Sequence, residues 1–298
     1  MAAYAGLAFL SLLWGSSFLL IKIASRAFDP FGFALARVGV AAAAMLLTSA
    51  LSGKVWPGSR PGLWAKLLAL ALIGQVIPFI LLAKAATLTT SADMALMMGA
   101  QPIFVFLFGR FLGSRDRWTR LAALGLMVGF AGVGVAFWSP GAASGAHAVL
   151  GRAFALTAGV FYGTGAVISG AATREIGAVR AVTASMTIST LVLGLIGLAF
   201  GMLPPPMALF QTPLGPMLAM GALGVFNTAL AYYVYFRLAH DEGPTFASLN
   251  NYIAPVIGVI GGAVALAEPI APSAWAGLAL VLAGVALTGR SLRPAKAQ

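Results

Sequence analysis

Hydrophobic residues fill long segments of this chain, and polar or turn-forming residues separate them. Ten such segments can be counted, each near the roughly 20 residues that a helix needs to cross about 30 Å of hydrocarbon. Their approximate bounds are 4–23, 30–52, 64–84, 90–111, 119–138, 148–171, 180–201, 214–238, 244–266 and 272–289. Proline and glycine mark the breaks, as at Gly58 and 204–206. The pattern predicts an all-α integral membrane protein with ten transmembrane helices.

Composition places these segments in a bilayer rather than in a soluble core. Of 298 residues, 60% are hydrophobic and only 8% are charged, whereas soluble domains carry about 25% charged residues. The formal net charge is +11. The basic residues are scattered between apolar segments and are not gathered on one polar domain, so we expect a lipid bilayer and no nucleic acid as the partner.

The Lys and Arg residues also predict the orientation. If the N-terminus is cytoplasmic, 13 of the 18 basic residues lie on the cytoplasmic side and 4 lie on the opposite side. This bias satisfies the positive-inside rule and places both termini in the cytoplasm.

Catalytic and metal-binding groups are scarce. The chain has no cysteine, and its two histidines, His147 and His240, lie near segment ends. We therefore predict no metal site, no cofactor and no enzymatic activity. A membrane-embedded enzyme and a channel are the less favoured alternatives, because a channel would more often show charged pore lining or rings of like groups from several subunits.

The two halves of the chain resemble each other. Pro102 and Pro255 are 153 residues apart, and two glycines with six residues between them occur at Gly125 and again at Gly277. The predicted repeats are 1–145 and 146–298, with five helices each. Because five is odd, the second repeat enters from the opposite side of the membrane, which gives an inverted-topology repeat.

Amide side chains precede both prolines, where lipid would otherwise be expected. Polar groups facing lipid are costly, and inverted-repeat transporters bind their substrates near the midplane between the repeats. We expect each proline to free a backbone carbonyl and kink its helix, and we expect the nearby amides to face a cavity. The predicted substrate-binding residues are Trp14, Gln75, Phe79, Met97, Met98, Gln101, Tyr162, Asn227, Tyr233, Asn250 and Asn251. The alternative is that the amides only bond neighbouring helices.

A second group of residues is predicted to have gating or structural roles. No acidic residue falls at the predicted midplane, so the sequence offers no proton-coupling carboxylate, and transport by facilitated diffusion stays open. The gating or structural residues are Arg37, Lys84, Asp93, Pro102, Pro255 and Glu268.

Glycines at four-residue spacing favour close helix packing. We expect the protein to be a monomer or a weak homodimer.

Several of these residues resemble a known family. The run from Trp14 to Phe18 (Trp-Gly-Ser-Ser-Phe), Arg37, Pro102, the run from Leu266 to Pro269 (Leu-Ala-Glu-Pro) and Gly277 are similar to the EamA-type domain of the drug/metabolite transporter superfamily. The resemblance covers the whole chain as two tandem domains. The chain departs from the pattern after Leu112-Gly113, where serine replaces the usual glutamate, so a symmetric pair of carboxylates is not the mechanism.

The resemblance implies a function. Members are ten-helix secondary transporters of the bacterial cytoplasmic membrane that export small metabolites, and the overall look is similar to the YddG-type amino-acid exporters. Amino-acid export by alternating access is therefore the expectation. Drug transport and nucleotide-sugar or nucleoside transport by the same fold are the alternatives.

Overall fold

A computed structural model describes residues 2–53, 58, 61–111, 119–138, 145–205, 211–242, 246–247, 250–268 and 270–291. The regular secondary structure of these residues is helical, without strands. Seven of the described helices are long and apolar enough to cross a membrane, and three further apolar helices are shorter. The predicted all-α, ten-helix membrane fold is therefore confirmed.

The described residues form ten helical spans, and we number them α1 to α10 in chain order. The fourth consists of two helices in sequence. The spans are α1 Ala2–Ala24, α2 Pro30–Leu51, α3 Pro61–Leu88, α4 Ser91–Met98 with Gln101–Phe111, α5 Arg120–Trp138, α6 Ala146–Ile176, α7 Ala178–Phe200, α8 Leu214–Asp241, α9 Asn250–Leu266 and α10 Pro272–Ser291.

Several spans differ from the predicted bounds, most clearly α6 at its end. Helix α6 was predicted to end at 171, but it continues to Ile176, and only Gly177 separates it from α7. Its polar last turn carries Glu175, which pairs with Lys66 of α3, so these polar residues extend the helix beyond the apolar span. The predicted start of the ninth span at 244 lies outside the described residues.

Local sequence explains where helices begin. Helix α2 starts with Pro30 in its first turn, and the Asp29 carboxylate accepts hydrogen bonds from the backbone N–H groups of Phe31 (2.9 Å) and Gly32 (3.1 Å). An aspartate cap followed by proline satisfies N–H groups that a helix start leaves unpaired. The α1–α2 connection is consequently short. Because α2 begins at Pro30, Arg37 lies seven residues into this helix.

Helices α3 and α8 each contain a π-helical turn at the corresponding place. The turns span Leu72–Val76 and Val225–Leu230. Gln75 lies in the first and Asn227 in the second, so the sequence equivalence of these two amides is also a structural one. A π turn contains one residue more than an α-helical turn. The residues that follow it are therefore rotated about the helix axis, and a different set of side chains faces the neighbouring helices.

The two prolines differ in their effect. Helix α4 is interrupted at Gly99 and Ala100, directly before Pro102. Helix α9, in contrast, runs through Pro255 without a break. A Cβ on Gly99 would lie 3.4 Å from the Pro255 ring, so the interruption in α4 packs directly against the continuous turn of α9. Neighbouring helices make such an interior proline tolerable in a transmembrane helix.

Contacts between the halves are reciprocal, as a two-fold relation requires. Helix α1 packs on α9 and α4 on α6, which are the same pairing with the halves exchanged. The second helices of the halves, α2 and α7, pack on each other, as do the fifth helices, α5 and α10. The two five-helix repeats therefore interlock as an inverted pair, and the space between them is central.

Candidate substrate cavity

A central cavity lies between the repeats. Helices α1 to α4 of the first half and α6, α8 and α9 of the second contribute to its wall. Its described lining residues are Trp14, Ser17, Phe18, Ile21, Arg37, Leu82, Met98, Gln101, Tyr162, Tyr232, Asn251 and Ala254. Ligand pockets are mostly apolar with a few placed polar groups, and this lining has the same character.

One face of α1 forms a side of the cavity. Trp14, Ser17, Phe18 and Ile21 are spaced three and four residues apart, so they share that face. Behind it, Gly15 lets α1 approach α9 closely, because a Cβ there would lie 2.5 Å from Cβ of Ile257. The Trp-Gly-Ser-Ser-Phe run thus supplies both lining groups and a helix contact.

Arg37 lies on the cavity wall and is only 3% exposed. Its Nε donates a hydrogen bond to Oγ1 of Thr228 at 2.8 Å, and its guanidinium carbon lies 4.2 Å from the ring centre of Phe79. Its Nη1 is buried without a hydrogen-bond partner among the described residues. Sequence reasoning gave Arg37 a gating or structural role, whereas the structure places it in the cavity.

Aromatic rings surround Arg37. Tyr162 and Tyr232 line the cavity, and Phe79 packs behind them with ring-centre distances of 6.1 Å to Tyr162 and 6.3 Å to Tyr232. The Trp14 ring lies 5.7 Å from that of Tyr232, whose hydroxyl donates to the Gly74 carbonyl at 3.1 Å. These contacts join aromatic groups of both halves into one rigid wall.

Tyr232 was missed in the sequence, and its neighbour Tyr233 was selected instead. Tyr233 is not among the lining residues. The π turn that ends at Leu230 displaces the following face by about one residue, and apolar periodicity alone does not show this. The sequence could have identified Tyr232 through the 153-residue offset between the two prolines. The same offset makes Tyr232 the equivalent, in the second repeat, of Phe79 in the first.

Of the predicted substrate-binding residues, the structure brings five together on the cavity wall. These are Trp14, Met98, Gln101, Tyr162 and Asn251. Met97 is completely buried in the core next to the cavity. Asn250 is also buried, and its Nδ2 donates to the Ala247 carbonyl at 2.8 Å. Gln101 and Asn251 are thus the amides that reach the cavity.

The other two predicted amides bond neighbouring helices. Nε2 of Gln75 donates to Ser185 at 2.8 Å, and its Oε1 accepts from Ser189 at 2.7 Å, so this side chain joins α3 to α7. Nδ2 of Asn227 donates to the Leu13 carbonyl and to Ser16, which joins α8 to α1. For these two residues, the geometry matches the alternative in which amides hold helices together.

Acidic residues at one end of the bundle also connect the halves. Asp93 at the start of α4 pairs with Arg152 of α6 at 3.2 Å, with side-chain exposures of 9% and 3%. The Glu268 carboxylate accepts from the backbone N–H and the hydroxyl of Ser91, at 3.0 Å and 2.6 Å. Both contacts hold the first turn of α4, where a helix favours negative charge.

The lysines near this end do not pair with these carboxylates. Nζ of Lys22 donates to the carbonyls of Ala86 (2.7 Å) and Thr89 (2.6 Å), at the end of α3. Lys84 is exposed, and its Nζ lies 5.9 Å from the ring centre of Phe154. Lys22 therefore caps a helix end, while Asp93 and Glu268 connect elements of opposite halves.

Ten helical spans in two inverted halves, with a cavity lined from both halves, define a multi-pass membrane protein of the transporter type. The family model described as the EamA-like transporter family matches residues 1–138 and 149–290. The chain belongs to the EamA-like transporter family.

Similar proteins occur in bacteria and archaea. The chain is 26% identical over 289 residues to the uncharacterized inner membrane transporter YedA of Escherichia coli strain K12, with 96% of this chain and 91% of YedA covered. It is 24% identical over 277 residues to an uncharacterized transporter of Archaeoglobus fulgidus, covering 93% and 95% of the two chains. It is also 24% identical over 292 residues to the uncharacterized transporter YvbV of Bacillus subtilis strain 168, covering 98% and 92%.

The fold also has a counterpart among solved structures. One crystal structure of a protein aligns with 98% of this chain and 98% of its own chain, at a TM-score of 0.69 and 20% sequence identity. At that identity, the likeness concerns the fold alone.

Proposed function

We propose that this protein is a secondary transporter of the inner membrane that exports small metabolites, with amino acids as the substrate, by alternating access from the central cavity. The observation that carries the proposal is a cavity lined from both repeats that combines one buried cation, two amides and an aromatic wall. Amides donate and accept hydrogen bonds, and aromatic and methionine side chains accommodate varied apolar groups. This mixture suits a zwitterion with a variable side chain.

The rival substrates fit the cavity less well. A nucleotide sugar carries two phosphates, and Arg37 is the single basic residue among the described lining residues. Lys84, the other basic residue considered from the sequence, is exposed outside the cavity. A cationic drug would meet Arg37 with no carboxylate in the described lining to offset the repulsion.

Counterflow of labelled amino acids into proteoliposomes tests the function. We expect exchange of at least one amino acid at a rate well above that of empty liposomes, with nucleosides and nucleotide sugars as comparison solutes. Gln101→Ala and Asn251→Ala should slow exchange about tenfold or more, because they remove hydrogen bonds to the substrate. Gln75→Ala is the matched amide control, since Gln75 bonds α7 outside the cavity, and it should exchange at close to the parent rate. Equal loss in all three variants would count against this site.

Export requires an orientation, and we propose that both termini are cytoplasmic. The chain has no cysteine, so single cysteines report cleanly. In intact cells, an impermeant thiol reagent should label cysteine at His147 or Met202 and should spare cysteine at Ser52 or Glu242, all four being exposed positions near span ends. Permeabilised cells should show labelling at all four. The reverse pattern in intact cells would invert the orientation.

A further inference from the structure

We propose that Arg37 is the group in the cavity that recognises the transported molecule, by binding its carboxylate, so that the substrates are organic carboxylates, amino acids among them. This inference rests on the proposed transport function and narrows its substrate class.

The first step is the charge of Arg37. A guanidinium buried at this depth is costly unless an anion or a dense set of hydrogen bonds compensates it. The described contacts are one hydrogen bond, to Thr228, and one aromatic ring, that of Phe79. A cation over a ring contributes about 0.5–2 kcal/mol, which is less than the several kcal/mol that burial of an ion costs. The cavity therefore has a positive charge that these contacts among the described residues do not neutralise.

The second step excludes an internal counter-ion. The described acidic side chains all act elsewhere or lie exposed, away from the lining of the cavity. Asp29 caps α2, Asp93 pairs with Arg152, Glu175 pairs with Lys66, Asp241 lies beside Arg237, Glu242 is exposed, and Glu268 binds Ser91. The anion that Arg37 requires must come from outside the described protein.

The third step is geometry. Thr228 holds Nε from one side, and the Phe79 ring lies beneath the guanidinium carbon. Both contacts fix the plane of the group, while Nη1 stays buried and without a partner among the described residues. A planar guanidinium held in this way, with Nη1 unused, is placed to donate to a carboxylate. A hydroxyl or a neutral amide would leave the charge uncompensated.

The fourth step concerns the rest of the ligand. Gln101 and Asn251 place amide groups, which both donate and accept hydrogen bonds, on the cavity wall, while Trp14, Tyr162 and Tyr232 supply apolar surface. A molecule with one carboxylate and an apolar or aromatic side chain satisfies all of these groups. An amine without a carboxylate places a second cation beside Arg37, and is rejected.

Binding to the purified full-length chain in detergent tests this inference independently of transport. The probes are L-phenylalanine, 3-phenylpropionate, acetate and 2-phenylethylamine, measured by calorimetry and by the shift in Tm. We expect L-phenylalanine or 3-phenylpropionate to bind and 2-phenylethylamine to bind at least about tenfold more weakly. Arg37→Gln should weaken carboxylate binding about tenfold or more and abolish this preference. Arg37→Lys, which keeps the charge and loses the fork, should lie between the two.

Arg174→Gln is the matched control, because Arg174 is an exposed residue at the far end of α6, and it should bind like the parent. If Arg37→Gln does not elute as a folded protein on gel filtration, the parent's preference between 3-phenylpropionate and 2-phenylethylamine and the Arg37→Lys variant decide the question. Equal affinity for those two probes, full carboxylate affinity in Arg37→Gln, or no carboxylate binding at all would overturn the inference.

The two proposals fail in different ways. Counterflow of solutes without a carboxylate would keep the transport function and remove the role of Arg37. Binding of a carboxylate that depends on Arg37, combined with no counterflow of any tested metabolite, would keep the recognition site and remove the transport function.

Discussion

Replacing Asp93 with asparagine is expected to lower the free energy of unfolding by about 3–5 kcal/mol. The Asp93–Arg152 pair is buried on both sides, so the variant leaves the Arg152 cation in a low-dielectric site without its carboxylate. A fall in Tm of roughly 10 °C follows. Thermal unfolding of purified protein, followed by the loss of the folded peak on gel filtration, measures it.

A second variant isolates the cause. Asp93→Asn combined with Arg152→Met removes the unpaired charge, and we expect it to recover part of the lost stability. The exposed pair of Arg237 and Asp241 in α8 provides the control, because exposed pairs contribute about 0–1 kcal/mol. An Asp241→Asn loss as large as that of Asp93→Asn would show that burial is not what makes the Asp93 pair important.

Gly132→Leu should destabilise the protein by more than about 3 kcal/mol, at or beyond the upper end of typical overpacking costs. At this position α5 meets α10 through backbone atoms. An added Cβ would lie 2.6 Å from the Val281 nitrogen and 2.7 Å from the Gly277 oxygen. Backbone atoms of a packed helix cannot move aside as a flexible side chain can. The expected result is loss of most folded protein from membranes, measured by fluorescence-detected gel filtration.

Gly134→Leu is the internal control for this prediction. Gly134 lies two residues further along the same helix, and nothing lies within 4 Å of where its Cβ would be. The two variants therefore share the change in helix propensity and differ only in the contact with α10. Similar yields of folded protein from Gly132→Leu and Gly134→Leu would contradict the packing explanation.

The helices were predictable because a bilayer leaves few alternatives. Every backbone polar group inside hydrocarbon must be bonded within the protein, so a long apolar segment becomes a helix. Ends were less predictable where polar residues continue a helix beyond the apolar span, as in the last turn of α6 up to Ile176. Proline was ambiguous for a related reason. Its missing donor is the same at Pro102 and Pro255, and the packing of neighbouring helices decides whether the helix stops.

The cavity was predictable in part. Gln101 and Asn251 followed from amides placed beside prolines at equivalent depths, and the structure puts both on the cavity wall. Gln75 and Asn227 carry the same amide group at equally symmetric positions, yet they bond serines or a carbonyl of a neighbouring helix. A polar residue in a membrane needs a partner, and its own sequence context does not say whether that partner is a helix or a ligand.

The position of the Arg37 side chain could not be predicted from the sequence for a different reason. Its depth of seven residues into α2 suited a side chain that reaches the interface as well as one that enters the cavity. Thr228, which orients it, lies 191 residues later in the chain. Contacts between residues so distant depend on how the halves assemble, and the spacing of residues within α2 contains no information about them.

The interlocking of the halves has a consequence for synthesis at the ribosome. Gln75 finds its serine partners only after α7 has been made, and Arg37 finds Thr228 only after α8. During translation, the first five helices therefore enter the membrane with a guanidinium and an amide that lack their final bonds. These bonds can form only after the later helices are made, and a chain that ends before α8 leaves Arg37 without Thr228.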